Sequence, residues 1–478
     1  MGSRFRRAGL MLLLASCLAA PSFAAAPTNL PPPVDQALGR ALLKTLIETD
    51  TTHAKGSTGL ASALAARFLA EGFAPTDVTV LAPPNHPTKG NLIVRLHGRG
   101  QAKPVLYIGH LDVVTAKRED WTSDPFVLTE KDGYFYGRGT IDMKSEDAAM
   151  IESLIRLKRE GFSPEGDIIL ALTADEEAEG DANGVDWLLK THRDLIDAGL
   201  VMNPDSFETG LINGQKLYLG FETSEKVYAT WQVEAADKGG HSSRPTPANP
   251  IYRLSKALTK LSDYRFPLDL TPTVEAYFER RAKLESGQMA ADMKSLASPS
   301  PGPDAVARLS ELVDTNVLMR TTCIATQISG GHAESALPQR ARATLQCRVI
   351  PGEPLPSIRA QLVKALDDPS LVVSEVDLSE ESPDSPLSAK VMHTVEQVTQ
   401  SLWPKVVIIP TLEAGGSDNA FTRIAGIPSY GVDAAWEDLQ DGRAHGRDER
   451  IGVEVFDQQV EWTYRLMKAL GVQTKPLG

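Results

Sequence analysis

One ten-residue run, Val105-Leu-Tyr-Ile-Gly-His-Leu-Asp-Val-Val114, constrains this chain more than any other stretch. Residues 105–108 are β-branched, aromatic or aliphatic without a polar break, the pattern of a strand buried on both faces of a parallel sheet. Gly109 then gives the backbone room to turn. His110 and Asp112 follow, and side chains two apart on extended backbone leave on the same side. An imidazole and a carboxylate at one strand end suit two arrangements. They can form a local hydrogen-bonded pair, or the histidine can bind a metal while its other ring nitrogen is held by a neighbour.

The pattern of a strand followed by an acid recurs. Residues 167–174 are apolar and end in Asp175-Glu-Glu177. Residues 200–203 are followed by Pro204 and Asp205. Asp142 closes Gly137-Arg-Gly-Thr-Ile-Asp142 just before a helix expected over 145–160, where it either caps that helix or is held by its N–H groups as a ligand. Acidic runs are usually solvated surface, but three acids directly after a strand this apolar are hard to place there. Strands alternating with helices predict a parallel sheet whose ligands gather at the carboxyl ends of the strands. His445 lies in a glycine-bounded loop before a last helix, 453–470. His110, Asp142, Glu176, Glu177, Asp205 and His445 thus form a nitrogen and oxygen donor set that suits zinc, and also cobalt or manganese.

The middle of the chain changes character. Residues 226–234 alternate with period two, as a half-exposed antiparallel strand does. Gly239-Gly-His-Ser-Ser-Arg-Pro245 and a helix over 251–261 follow. A polar, helix-prone insertion spans 264–318, with a Ser/Pro/Gly break at 298–303. Strands over 321–328 and 341–349, a helix over 357–366 and a strand over 371–376 complete a strand–helix–strand–strand–helix–strand order. The expected architecture is therefore α/β, a sheet with helices on both faces built from 27–221 and 387–478. An α+β, ferredoxin-like domain is inserted at 222–378.

The chain has 478 residues, enough for such cores, and a net charge of -13, which argues against non-specific nucleic-acid binding. Arg4, Arg6 and Arg7, an apolar stretch over 9–20 and Ser22-Phe-Ala24 predict a signal peptide over 1–24 and a periplasmic or secreted product. Leu14-Ala-Ser-Cys17 offers the alternative of a lipid anchor at Cys17. Cys323 and Cys347 lie on neighbouring expected strands, and export leaves a bridge between them open.

Six motifs in order resemble the M20 metallopeptidase family. They are Gly109-His-Leu-Asp-Val-Val114, Gly137-Arg-Gly-Thr-Ile-Asp-Met-Lys144, Asp175-Glu-Glu177, Gly239-Gly-His-Ser-Ser-Arg-Pro245, Gly415-Gly-Ser-Asp418 and His445-Gly-Arg-Asp-Glu-Arg450. The resemblance implies a di-zinc exopeptidase-type fold in which Asp142 bridges two zinc ions. His110 and Asp205 would complete one site, and Glu177 and His445 the other. Glu176 would be the general base and Asp112 the group that holds the His110 ring. His241 would stabilise the oxyanion, often in a neighbouring subunit's site, which implies a homodimer through the inserted lid domain. Arg348, in Cys347-Arg-Val-Ile-Pro-Gly352, resembles the arginine that binds a substrate carboxylate. The implied substrate is a small peptide cleaved by an exopeptidase, or alternatively an N-acyl amino acid. A non-catalytic binding protein is the third reading, and it sits badly with a usable residue at every motif position. Three positions depart from the pattern. Ser335 stands where the family often has Asn, Ser145 stands for Gly, and the fifth ligand falls on Asp205 with Glu208 as the alternative.

Overall fold

The computed structural model describes residues 29–178, 182–205, 208–438 and 441–473; the signal-peptide stretch and Cys17 lie outside them. The larger sheet runs in the order Val78–Leu81, Asn91–Leu96, Ile168–Thr173, Val105–His110, Leu200–Asn203, Ser429–Gly431, Gln215–Glu225, Val407–Glu413. Val105–His110 is parallel to both of its neighbours, Ile168–Thr173 and Leu200–Asn203. All three strands therefore point their carboxyl ends to the same side.

Alternation along these strands accounts for the layers. Leu92, Val94, Tyr107, Leu170 and Met202 enter one core with the helices Pro33–Ile47, Lys144–Arg159 and Val453–Gly471. Ile93, Leu106, Ile108, Ile169 and Val201 enter a second core with Val185 and Leu188 of the helix Gly184–Thr191. Helices on both faces are what a sheet with two apolar faces requires. Lys144–Arg159 carries Glu146 and Asp147 in its first turn and Arg156, Lys158 and Arg159 in its last, matching the helix dipole at both ends.

The inserted unit is a four-stranded antiparallel sheet in the order Thr322–Gly330, Arg340–Val349, Val227–Ala236, Val372–Leu378. The helices Pro250–Asp263 and Leu355–Leu366 cover one face, packing Leu254, Leu261, Ile358 and Leu362 on Trp231, Val233 and Leu345. Cys323 and Cys347 stand opposite each other in register and are disulfide-bonded. Residues 264–318 form four helices, Pro272–Arg281, Gly287–Leu296, Pro303–Ser310 and Val313–Met319. Their apolar side chains pack on Tyr218, Ile409 and Leu412 of the larger sheet.

Candidate metal centre

Val105–His110 is buried along its whole length and carries His110 at its carboxyl end. Gly109 does not turn the chain; it lies within the strand. A Cβ there would stand 2.4 Å from Asp147 Oδ1, so close packing against the helix Lys144–Arg159 is what requires glycine. The parallel neighbours bring Asp175-Glu-Glu177 and Asp205 to the same sheet end.

Asp142 is not a helix cap: the helix Lys144–Arg159 starts after Met143 without a side-chain cap. Its carboxylate stands between two imidazoles instead. Asp142 Oδ1 lies 3.1 Å from His110 Nε2, and Oδ2 lies 2.8 Å from His445 Nε2. Asp205 Oδ1 is 3.6 Å from His110 Nε2, and Glu177 Oε1 is 2.9 Å from His445 Nε2. Two donor groups result, His110/Asp142/Asp205 and Asp142/Glu177/His445, each with its ligand atoms within 4.8 Å of one another.

The donors fit divalent cations. Three carboxylates that converge on two imidazoles, one of them (His110) fully buried and the other (His445) 54% exposed, repel one another unless a positive charge sits among them. Protons fill that role in the metal-free chain. Burial opposes protonation of His110, but hydrogen bonds to Asp142 and Asp205 outweigh it and hold the ring well above its usual pKa. Hydrogen bonds to Asp142 and Glu177 raise His445 to about 10. Burial works to raise Asp142, yet hydrogen bonds from the two histidines hold it below the usual carboxylate range. A set of oxygens and imidazoles without a thiolate suits zinc, cobalt or manganese.

The expected role of Asp112 needs correcting. Its main-chain carbonyl, not its carboxylate, holds the His110 ring: Nδ1 donates to Asp112 O at 3.0 Å, while Oδ1 is 3.8 Å away. A carbonyl only accepts, so Nδ1 carries the proton and Nε2 is left to face the acids. The Asp112 carboxylate accepts instead from the backbone N–H groups of Glu176 at 3.2 Å and Glu177 at 3.1 Å. Glu176 belongs to neither donor group. Burial, then the charge of Asp205, lifts its pKa well above the ordinary value.

Two supporting contacts have no local sequence signal. Asp175, at φ 60°, forms a buried ion pair with Lys89, and the His53 ring joins them at 3.1 Å. Asp418 of the Gly415-Gly-Ser-Asp418 motif is buried and accepts from Asn183 Nδ2 at 2.6 Å.

The two site residues expected from the inserted domain make their hydrogen-bond and stacking contacts with other residues than these donors. Arg348 stacks over Tyr228 at 5.0 Å and stands 3.9 Å from where a Cβ on Gly416 would be. His241 is exposed on the short strand Gly240–His241, with its Nδ1 2.8 Å from Ser243 Oγ.

Residues 106–469 match the model of peptidase family M20/M25/M40. The chain is 28% identical over 383 residues to a probable carboxypeptidase S-like protein of Dictyostelium discoideum, covering 77% of this chain and 71% of the relative. It is 25% identical over 397 residues to the N-fatty-acyl-amino acid synthase/hydrolase PM20D1 of Homo sapiens, covering 78% and 76%. The M20 family metallo-carboxypeptidase Sso-CP2 of Sulfolobus solfataricus superposes with a TM-score of 0.65 at 17% identity, covering 91% of this chain and 99% of that one. The chain belongs to peptidase family M20/M25/M40, a family of metal-dependent hydrolases.

Proposed function

We propose that this hydrolase is an exopeptidase acting on small peptides, with Glu176 as its general base and two zinc ions, or cobalt or manganese in their place, in the paired donor groups. One observation carries the reading: the Asp142 carboxylate lies between two imidazoles while Asp112 aligns the Glu176–Glu177 backbone beside them. Divalent ions in such a site supply a more acidic water and a polarised carbonyl. Glu176 takes a proton from the water that attacks the amide carbon and returns it to the leaving nitrogen. Its raised pKa suits a group that must both accept and release that proton. Arg348 binds the free carboxylate of the substrate.

A second reading is hydrolysis of N-acyl amino acids, favoured by the name of the human relative. Both substrates present an amide and a carboxylate, so the same groups serve either. The test is amine release from a panel of dipeptides and N-acyl amino acids, with zinc-loaded protein and Glu176→Gln side by side. Release from dipeptides that is lost in Glu176→Gln, with metal retained, is the expected result. Release from acyl amino acids alone selects the second reading. Wild-type rates in the variant would refute the role of Glu176.

The protein is exported, and it works as a homodimer through the inserted domain. The Cys323–Cys347 bridge supports the first statement, since such bonds persist in oxidising compartments. The exposed side chains of Ile324, Ile328 and Tyr252 support the second. In the dimer, His241 of one copy stabilises the oxyanion in the other's site. A single-chain mass by light scattering would overturn the dimer.

A further inference from the structure

Glu449 lies four residues beyond His445, is fully buried, and spends its carboxylate on the other side of the site. Oε1 accepts from the backbone N–H groups of Ile141 at 2.8 Å and Asp142 at 3.2 Å. Oε2 accepts from Gly139 N at 3.1 Å and from Arg138 Nη1 at 2.6 Å. Arg138 completes the loop: its Nη2 donates to His445 O at 3.2 Å and Gly446 O at 2.9 Å. Its guanidinium also rests on Trp121 at 5.2 Å, which fixes the plane of the fork.

These contacts tie together two segments some 300 residues apart in sequence, each bearing a side chain of the Asp142/Glu177/His445 group. His445 needs such a tie. Its φ is 61°, a left-handed conformation that a non-glycine residue keeps only when its surroundings enforce it. The enforcing groups are the Arg138 fork on the His445 and Gly446 carbonyls, and Thr122, whose N–H and hydroxyl both donate to Asp448 at 2.8 Å. The other donor group shares Asp142, and with it the backbone contact to Glu449, but its histidine, His110, is set by its own strand and by the Asp112 carbonyl.

We propose that Arg138, held by Glu449, is a positioning residue that fixes His445 against Asp142, and thereby sets the affinity of the Asp142/Glu177/His445 group for its metal more strongly than that of the group with which it shares Asp142. The inference rests on the metal-binding reading above. Groups that orient metal ligands typically change affinity by about 10–100-fold when altered.

The measurement is stepwise cobalt(II) titration of metal-free protein, followed by visible absorption and by competition with a chelator. The proteins are the wild type, Glu449→Gln and Arg138→Lys. In Glu449→Gln the new amide would turn its N–H₂ toward groups that are themselves donors. Arg138→Lys keeps a positive charge near Glu449, but one ammonium cannot span the Glu449 carboxylate and the His445 and Gly446 carbonyls as the two ends of the guanidinium fork do. The expected result is two ions in the wild type; in Arg138→Lys one ion binds at least tenfold weaker with the other within threefold, and in Glu449→Gln, which also touches the shared Asp142, at least one ion binds tenfold weaker. Glu449→Gln can fail to fold, and Arg138→Lys then decides alone. Two ions bound with wild-type affinities in Arg138→Lys would overturn the clamp while leaving the metal reading intact. Equal weakening of both ions in Arg138→Lys would also overturn it, because the residue would then act through the fold at large. Fewer than two ions in the wild type would remove the metal reading, and the clamp with it.

Discussion

The carboxylate of Asp112 holds the backbone of Glu176: Oδ1 accepts its N–H at 3.2 Å, and Oδ2 accepts that of Glu177 at 3.1 Å. One side chain thus sets the direction of two acids with different assigned tasks. Asp112→Asn keeps one acceptor oxygen but presents N–H₂ to the other amide. The variant should keep metal at the His110 group, because the carbonyl that holds His110 is unchanged, should bind it less tightly at the group that uses Glu177, and should lose about 10–100-fold in kcat with a small change in KM at saturating metal. Steady-state kinetics beside a metal assay checks this; an unchanged kcat would show that the carboxylate's grip on the turn is dispensable.

Metal uptake should release protons. His445 is held at about 10 by its hydrogen bonds to Asp142 and Glu177, so at pH 8 the ring is protonated in the metal-free protein, and a metal must displace that proton. Affinity should therefore rise with pH up to about that value. The sign for folding is opposite. A histidine raised from 6.5 stabilises the metal-free fold fully below pH 6.5, and the contribution is lost as pH rises toward 10. Calorimetry in buffers of different ionisation enthalpy reads the protons released, and His445→Ala should release fewer.

Lys89 and Asp175 are both buried, and removing one partner strands the other's charge. Lys89→Met should lower stability by about 3–5 kcal/mol, and adding Asp175→Asn should recover part of that loss. Denaturant unfolding of both variants measures it. A cost below about 1 kcal/mol in Lys89→Met would mean that His53 and solvent suffice for Asp175.

Trp231 is fully buried between the inserted sheet and its helices. Trp231→Ala should destabilise that domain by about 3–5 kcal/mol. All five proposed ligands lie outside this domain, so metal stoichiometry should stay at the wild-type value. Loss of metal in the folded variant would show that the two units are coupled more tightly than their separate cores imply.

The parts of the fold that could be read from the residues are those where burial leaves an unbroken apolar run. Residues 105–108 and 168–172 are such runs, and both belong to interior strands. Val407–Glu413 carries Pro410 in its middle, which argues against a strand; the residue is tolerated because this strand is the sheet's edge. Four of the five donors could be gathered from sequence because each follows a strand end or precedes a helix; His445 lies in a glycine-bounded loop, and its place in the set came with the family resemblance. The oxygen of Asp112 that faces His110 could not, since a two-residue spacing places both the carbonyl and the carboxylate nearby. Lys89 and Glu449 were out of reach as well. Their partners lie 86 and about 310 residues away, and nothing in either local stretch names them.

Among the described residues Val407–Glu413 pairs with a strand on one side only, and the insertion helix Pro272–Arg281 packs against it, with Arg280 donating to the Ile408 carbonyl at 2.7 Å. Uncovered, such a margin is a template on which another chain can add a strand. Residues 264–318 are therefore not spare length to be trimmed from a shortened version of the protein. Cutting them out would expose Ile409 and Leu412 together with a row of unpaired backbone groups, and the product would be lost to self-association before its chemistry could be assayed.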